Sequence, residues 1–377
     1  MPKMKYLLIF GTRPEAIKLA PVLLELRKHS GVECIVCVTG QHQELLTSVL
    51  LLFSITPDYN LDCMSINQQP SELLSRMLPK LRAVIGKEQP DWVLVQGDTM
   101  SALAGAMAAT FAKVRVAHIE AGIRSHDRFE PFPEEVNRKL ISVMADLHFA
   151  ATSADRESLE REGHRGESIH VTGNTCIDAM RIAGALPLPA NSSVLHALTL
   201  ADRRLILVTV HRRENHGERL EVICDAITTL AHRYHDSAHF LLPMHPNPNV
   251  IQNVKRLLGG HTNITLCDAL DYREMLQVAN RCYFAMIDSG GLQEELPSLG
   301  KPALVLRNVT DRHASIVHGA ARLVGTDRES IIAGFTDLME NPTLYASMAQ
   351  PRHLFGDGTA AQTVVSLLIS SRSGARL

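Results

Sequence analysis

The 377-residue chain lacks any run of basic residues, any apolar span of bilayer length and any even, regularly spaced set of cysteines. Each absence excludes something. Lys and Arg number 38 against 40 Asp and Glu, a net charge of −2, so no basic stripe is available to track a nucleic-acid backbone. No segment is long and apolar enough for a transmembrane helix. Met1-Pro-Lys-Met-Lys5 leads into an apolar run without the long apolar region or small-residue cleavage site of a secretory leader, which sets the expectation of a cytoplasmic protein. The seven cysteines (34, 37, 63, 176, 224, 267 and 282) are odd in number and lie mostly inside apolar runs, which suits reduced core thiols rather than a disulfide framework. Cys34 and Cys37 have redox spacing, but they sit in the strand-like stretch Glu33–Val38, whereas the first cysteine of a redox pair should open a helix.

Two phosphate-binding patterns are also missing where one would look for them. Directly behind the apolar run Tyr6–Phe10 comes GTRPEAIK, residues 11 to 18, a glycine turn leading into helical spacing. It has neither the three spaced glycines of a dinucleotide fold nor the glycine-lysine-serine/threonine ending of a triphosphate loop. What it does offer an anion is Arg13 and Lys18.

What is present is an alternation of short apolar runs with longer helix-period segments. Tyr6–Phe10, Glu33–Val38, Trp92–Val95, Val114–His118 and Ile169–Val171 read as strands, and a second series follows at Arg204–Val210, Phe240–Pro243, Ile264–Cys267, Cys282–Met286 and Ala303–Leu306. Such alternation predicts an α/β protein with two doubly wound parallel sheets, each a Rossmann-like domain, facing a central cleft. The stretch from Gly184 to Ser193, rich in Pro and small polar residues, marks the hinge. The expected domains are residues 1–183 and 201–358, joined by a linker at 184–200.

The strand ends are polar. After Trp92–Val95 comes Gln96-Gly-Asp98-Thr99; after Val114–His118 comes Ile119-Glu120-Ala-Gly-Ile-Arg124; after the run ending at Val210 comes His211-Arg-Arg-Glu-Asn215. The second half adds Asp288-Ser289-Gly290-Gly291, a glycine pair opening a helix, whose unpaired amides and dipole suit an anion. A ligand with a diphosphate could be held from both halves, with Arg13 supplying a planar fork of donors.

Each residue alone has a plainer explanation. Lys18 could be a solvated helix lysine, Asp98 an N-cap, and Glu134 and Glu135 a pair placed to suit a helix dipole after Pro133. His211 could be a core histidine, and its five-residue spacing from His216 does not put both on one helix face for zinc. Their joint occurrence at strand ends is what points to a site.

In this order the motifs closely resemble the non-hydrolysing UDP-N-acetylglucosamine 2-epimerases: GTRPEAIK (11–18), TGQH (39–42), GDT (97–99), EAGIR (120–124), PFPEEVNR (131–138), VTGNT (171–175), HRREN (211–215), HPNPN (245–249) and DSGGLQEE (288–295). The resemblance spans essentially the whole chain. It implies the two-domain GT-B-type fold shared with many nucleotide-sugar glycosyltransferases, a terminal helix near Ala360–Ser370 within residues 359–377 that crosses back to the first domain, and a homodimer. The activity implied is reversible inversion at carbon 2, giving UDP-N-acetylmannosamine for surface polysaccharide. UDP would leave carbon 1 as the carbon 2 proton departs, and add back with protonation from the opposite face. No metal or redox cofactor enters that scheme.

By matching positions, the resemblance implies Asp98, Glu120 and Glu134 as the carboxylate set, with His211 at the diphosphate. It implies substrate binding by Arg13, Lys18 and Arg138 in the first half and by Ser289, Gly290, Gly291, Glu295 and Arg312 in the second, Glu295 accepting the ribose hydroxyls. Gln41, His42, Arg213 and His245 match a second, regulatory substrate site, but Glu44 stands where a glutamine can occur and Asn67 where an arginine would reach the second diphosphate. Epimerisation of pure UDP-N-acetylmannosamine without a lag is therefore expected. Thr310-Asp-Arg-His-Ala-Ser315 replaces the family's Thr-Glu-Arg-Pro-Glu-Ala, Glu130 replaces a serine, and Met275 replaces a phenylalanine near the uracil. A glycosyltransferase of the same fold would lack the carboxylate set and need an acceptor, a hydrolysing epimerase would release UDP, and a nucleotide-sugar sensor would need no such carboxylates.

Overall fold

A computed structural model describes residues 3–40, 43–65, 68–188, 192, 203–212, 215–244 and 248–371. The chain forms two compact units, one of Met1–Ala183 with Phe355–Leu377 and one of Gly184–Leu354.

The first unit is built on seven strands: β1 (Met4–Phe10), β2 (Val32–Val38), β3 (Tyr59–Asn60), β4 (Trp92–Gln96), β5 (Arg115–Ala121), β6 (Leu147–Ala150) and β7 (Ile169–Val171). Every neighbouring pair is parallel, in the order β3-β2-β1-β4-β5-β6-β7. The continuous apolar runs of β1 and β4 are buried residue after residue, as strands covered on both faces require. Alanine keeps one covering helix slim: Ala102, Ala104, Ala106, Ala108 and Ala109 of the helix Met100–Phe111 are all buried. The last helix, Ala360–Ser370, buries Val364, Val365 and Leu368. Leu368 O accepts the Tyr6 hydroxyl at 3.3 Å, and Asp178 Oδ1 accepts the Ala361 amide at 3.0 Å. Burial raises the Asp178 pKa.

The second unit has β8 (Arg204–Thr209), β9 (Ala238–Pro243), β10 (Ile264–Cys267), β11 (Phe284–Ile287), β12 (Ala303–Val305) and β13 (Ala321–Leu323), again all parallel, in the order β10-β9-β8-β11-β12-β13. Its core includes Phe240 stacked on Phe335 at 5.5 Å, with Phe284 edge-on to Phe335 at 5.0 Å.

Both sheets reverse their winding direction once, between β1 and β4 in the first and between β8 and β11 in the second. Because all strands are parallel, the carboxyl ends of these pairs lie on one edge of each sheet, and that is where doubly wound folds place ligands.

Three strands, β3, β6 and β13, go beyond the sequence expectation, and each has only two to four residues. The expected strand Val114–His118 is shifted: β5 runs from Arg115 on through Glu120 to Ala121.

Candidate active site

In the first unit the edge above β1, β4 and β5 collects the charged residues. Glu120 lies inside β5, where the pairing to β6 jumps from Ile119 opposite Phe149 to Ala121 opposite Ala150. Glu120 is the extra residue of this bulge and has φ 64°, a left-handed backbone that a non-glycine residue adopts at a cost of about 1–3 kcal/mol. Bulges re-aim side chains next to active sites. Here Glu120 Oε2 forms a buried ion pair with Lys18 Nζ and accepts the Asn174 side-chain amide at 2.7 Å. The Glu120 Oε1 atom lies 3.7 Å from where a Cβ on Gly97 would stand, so the carboxylate rests against the residue that precedes Asp98. Lys18, a possible surface lysine by sequence, is buried.

Asp98 hangs from the turn after β4. Two nitrogens of Arg138, Nε at 2.8 Å and Nη2 at 2.7 Å, grip its Oδ2, and Asn137 donates to its main-chain oxygen at 2.8 Å. Both holders come from the helix Glu134–Met144, which follows cis peptide bonds at Glu130–Pro131 and Phe132–Pro133. The adjacent glutamates of that helix have different surroundings. Glu135 is buried, taking the Ser125 amide and Arg138 Nη1, each at 3.0 Å, while Glu134 is half-buried. Arg13 is half-buried in the turn after β1.

Beneath Asp98, His118 donates from Nε2 to the Gly97 carbonyl at 2.7 Å. Burial pushes its pKa down to about 3, partly opposed by that bond, so it stays neutral and structural.

In the second unit the edge above β8 and β11 is organised by Asp288, whose side chain is wholly buried. Its Oδ2 accepts the His211 and Arg212 amides at 2.9 Å each and the Asn215 side chain at 3.0 Å. His211 Nδ1 stands 3.2 Å from Asp288 Oδ1. The His211 side chain, set beside this buried aspartate, is 39% exposed.

Ser289 caps the short helix Gly290–Glu295. A Cβ on Gly290 would lie 3.4 Å from Arg212 Nη2 and 3.5 Å from Arg312 Cζ, so two guanidinium groups flank the place where the glycine leaves room. Gly291 has open space around it by comparison, with only Ser289 Oγ at 3.9 Å from such a Cβ. Arg312 is held by Glu294 and Asp311 at 2.8 Å each. Tyr272 donates its hydroxyl to Glu295 Oε1 at 2.7 Å, and both side chains are buried.

Within the first unit the structure therefore brings together Asp98, Glu120, Lys18 and Arg138; within the second it brings together His211, Ser289, Gly290 and Arg312, with Glu295 on the same short helix. Gln41, His42, Arg213, His245 and Asn67 lie outside the described residues, as does the side chain of Glu44. Glu135, Asn174, Arg212, Tyr272 and Asp288 all stood inside or beside the motifs without a role. Asp288 had a readable signal, an aspartate ending a buried strand just before a glycine pair.

The arrangement offers two carboxylates, each beside a cation, for proton transfer in one unit, and a part-exposed imidazole with two arginines for an anion in the other. Among the described residues no cluster of histidine, cysteine and carboxylate side chains suits a metal ion, and no helix is long and apolar enough to cross a membrane.

Known proteins of similar sequence and fold narrow the chemistry. A family model described as UDP-N-acetylglucosamine 2-epimerase matches residues 24–369. The chain is 42% identical to a probable UDP-N-acetylglucosamine 2-epimerase of Ralstonia solanacearum over 96% of this chain and 97% of that one. The crystal structure of the Neisseria meningitidis UDP-GlcNAc 2-epimerase bound to UDP-GlcNAc superposes with a TM-score of 0.92 at 40% identity, covering 97% of this chain and 100% of that one. The S. aureus MnaA–UDP co-structure does so with a TM-score of 0.92 at 41% identity, covering 99% of each. With the fold and the full-length similarity in agreement, the chain belongs to the UDP-N-acetylglucosamine 2-epimerase family.

Proposed function

We propose that the protein inverts carbon 2 of UDP-N-acetylglucosamine reversibly and without hydrolysis. The carbon 2 proton of an N-acetylhexosamine has no adjacent carbonyl to acidify it, so its removal must be coupled to loss of a leaving group. In the proposed course a carboxylate takes the carbon 2 proton as the carbon 1–oxygen bond breaks. Its electron pair leaves with UDP, and a carbon 1–carbon 2 double bond remains. Re-addition reverses these changes, with the proton delivered to the other face, and protons and electron pairs balance over the cycle.

The observation that carries this reading is the pair of carboxylates at the ends of adjacent strands, Asp98 held by Arg138 and Glu120 held by Lys18. Two faces of one carbon need two proton-transfer groups or one that reaches both, and Asp98, Glu120 and the half-buried Glu134 are assigned to that work. Arg13 serves the diphosphate. In the second unit Arg212, Arg312 and the Gly290 position serve the diphosphate, His211 its departing oxygen, and Glu295, oriented by Tyr272, the ribose. Incubation with UDP-N-acetylglucosamine alone tests the reading. UDP-N-acetylmannosamine should form with no acceptor present, and free N-acetylmannosamine with UDP as the sole products would replace it with the hydrolysing reaction.

We also propose a homodimer in the cytoplasm. Phe111 and Val143, on two helices of the first unit packed against each other, are 75% and 78% exposed, and a second copy would cover such apolar side chains. Sedimentation gives the oligomeric state directly.

A further inference from the structure

At the turn after β1, where the sequence offers Arg13 and Lys18 to an anion, the chain places its own carboxylate. Glu15 is fully buried in the first turn of the helix Arg13–Leu26. Its Oε2 accepts the Gly11 amide at 3.0 Å and the Thr12 amide at 2.8 Å. Its Oε1 accepts the hydroxyl of Thr99 at 2.6 Å, and Thr99 accepts the Ala102 amide at 3.1 Å as N-cap of the helix Met100–Phe111. One carboxylate thus joins the turns after β1 and β4, the pair at which the sheet changes direction. A site residue adjoins each group it holds: Arg13 follows Thr12, and Asp98 precedes Thr99.

Helix capping explains only half of this. A glutamate three positions into a helix commonly takes the N-cap amide, but it does so at the surface, where water keeps its charge. Burial here pushes the Glu15 pKa up to about 7, against the hydrogen bonds from Thr99, Gly11 and Thr12. A glutamine could cap the same turn without a buried ionisable group. What the glutamate adds is a charge-assisted, and so stronger and shorter, bond to a hydroxyl on the neighbouring turn. A buried ionisable group with a shifted pKa beside a site is a candidate for a functional role.

We propose that Glu15 is a positioning residue for the epimerisation, fixing the Asp98 turn against the Arg13 turn through Thr99. The proposal rests on the reading of Asp98 as a proton-transfer residue. It acts through Thr99 and the two amides, not by touching the sugar.

The test is a set of conservative variants. Glu15→Gln and Thr99→Val are expected to lower kcat by about 10-fold or more, while UDP binds within about 3-fold of wild type. The double variant should lose no more than the worse single, because both changes cut one tie. Thr99→Ser, which keeps the hydroxyl, should restore kcat. Wild-type kcat in Glu15→Gln or Thr99→Val, losses that multiply in the double variant, or UDP affinity falling in step with kcat would each overturn the assignment. An activity-independent reading comes from 13C NMR of the Glu15 carboxyl: Thr99→Val should move its titration to higher pH, since the hydroxyl bond lowers it, and an unmoved titration means there is no tie. A wild-type enzyme that epimerises nothing would instead remove the epimerase reading, leaving the tie to be decided by that titration.

Discussion

Two nitrogens of the Arg138 guanidinium converge on one oxygen of Asp98, at 2.7 and 2.8 Å, while a third reaches Glu135 at 3.0 Å. One buried arginine therefore balances two carboxylates, and Asp98 is held rather than free to swing. Arg138→Met would leave Glu135 buried and unpaired, and breaking such a pair from one side costs about 3–5 kcal/mol. The variant should melt well below wild type and lose turnover. Arg138→Lys keeps the charge but loses the fork, so it should recover more of the melting temperature than of kcat. Equal recovery of both would mean that the geometry of Asp98 does not matter.

Asp98→Asn and Glu120→Gln conserve volume and remove the carboxylate's proton-transfer capacity. Each should cost at least ~100-fold in turnover, with UDP affinity by calorimetry nearly unchanged. With Glu15 occupying the Gly11 and Thr12 amides, the turn after β1 retains Arg13 as its cation. Arg13→Ala should weaken UDP binding by about 10- to 150-fold, the loss of one charge-assisted contact of roughly 1.5–3 kcal/mol.

Asp288 bonds the His211 and Arg212 amides and stands beside the His211 ring. Asp288→Asn turns one side-chain acceptor into a donor facing other donors. The expected result is about 10-fold weaker UDP binding and a fall in kcat close to that of His211→Ala. A variant that binds UDP as wild type does would remove Asp288 from the organisation of this edge.

Stability should fall on acidification, and His118 is one cause. Its folded pKa of about 3 lies below the ordinary histidine value of 6.5, so below 6.5 the unfolded chain binds a proton that the folded protein excludes. The contribution is whole above about pH 6.5 and is lost as pH falls toward 3, by up to about 5 kcal/mol. Glu15 runs the other way. Its folded pKa of about 7 lies above the ordinary 4.5, so it favours the folded state below 4.5 and loses that contribution as pH rises to 7. His118→Gln can keep the bond to the Gly97 carbonyl without titrating. Its unfolding free energy, by denaturant titration at pH 7.5 and 5, should depend less on pH than that of wild type. An unchanged pH dependence would show that His118 is not the group responsible.

The alternation of apolar runs made both parallel sheets legible, because a strand covered on two faces must be apolar throughout. The strands that escaped were those without room for such a run. The pair Tyr59–Asn60 has two residues, Leu147–Ala150 carries a buried histidine, and Ala321–Leu323 carries an exposed arginine. The strand ending expected at His118 runs on through Glu120, since a charge inside a strand reads as its end unless the bulge is known. The polar strand ends were readable as a site, but their pairings were not. Lys18 with Glu120, Arg138 with Asp98 and Glu15 with Thr99 join residues 40 to 102 positions apart. Only the crossing of strands brings such residues together.

In the proposed reaction the carbon 2 proton leaves to solvent and a proton returns from it while UDP departs and re-adds. Incubation of UDP-N-acetylglucosamine with the protein in heavy water, followed by proton NMR and mass spectrometry of both UDP-sugars, tests it most directly. One deuteron is expected at carbon 2 in UDP-N-acetylglucosamine and UDP-N-acetylmannosamine alike, with no acceptor present and the gluco form in excess at equilibrium. Interconversion that retains the original proton, or deuterium confined to free sugar released with UDP, would rule out elimination and re-addition.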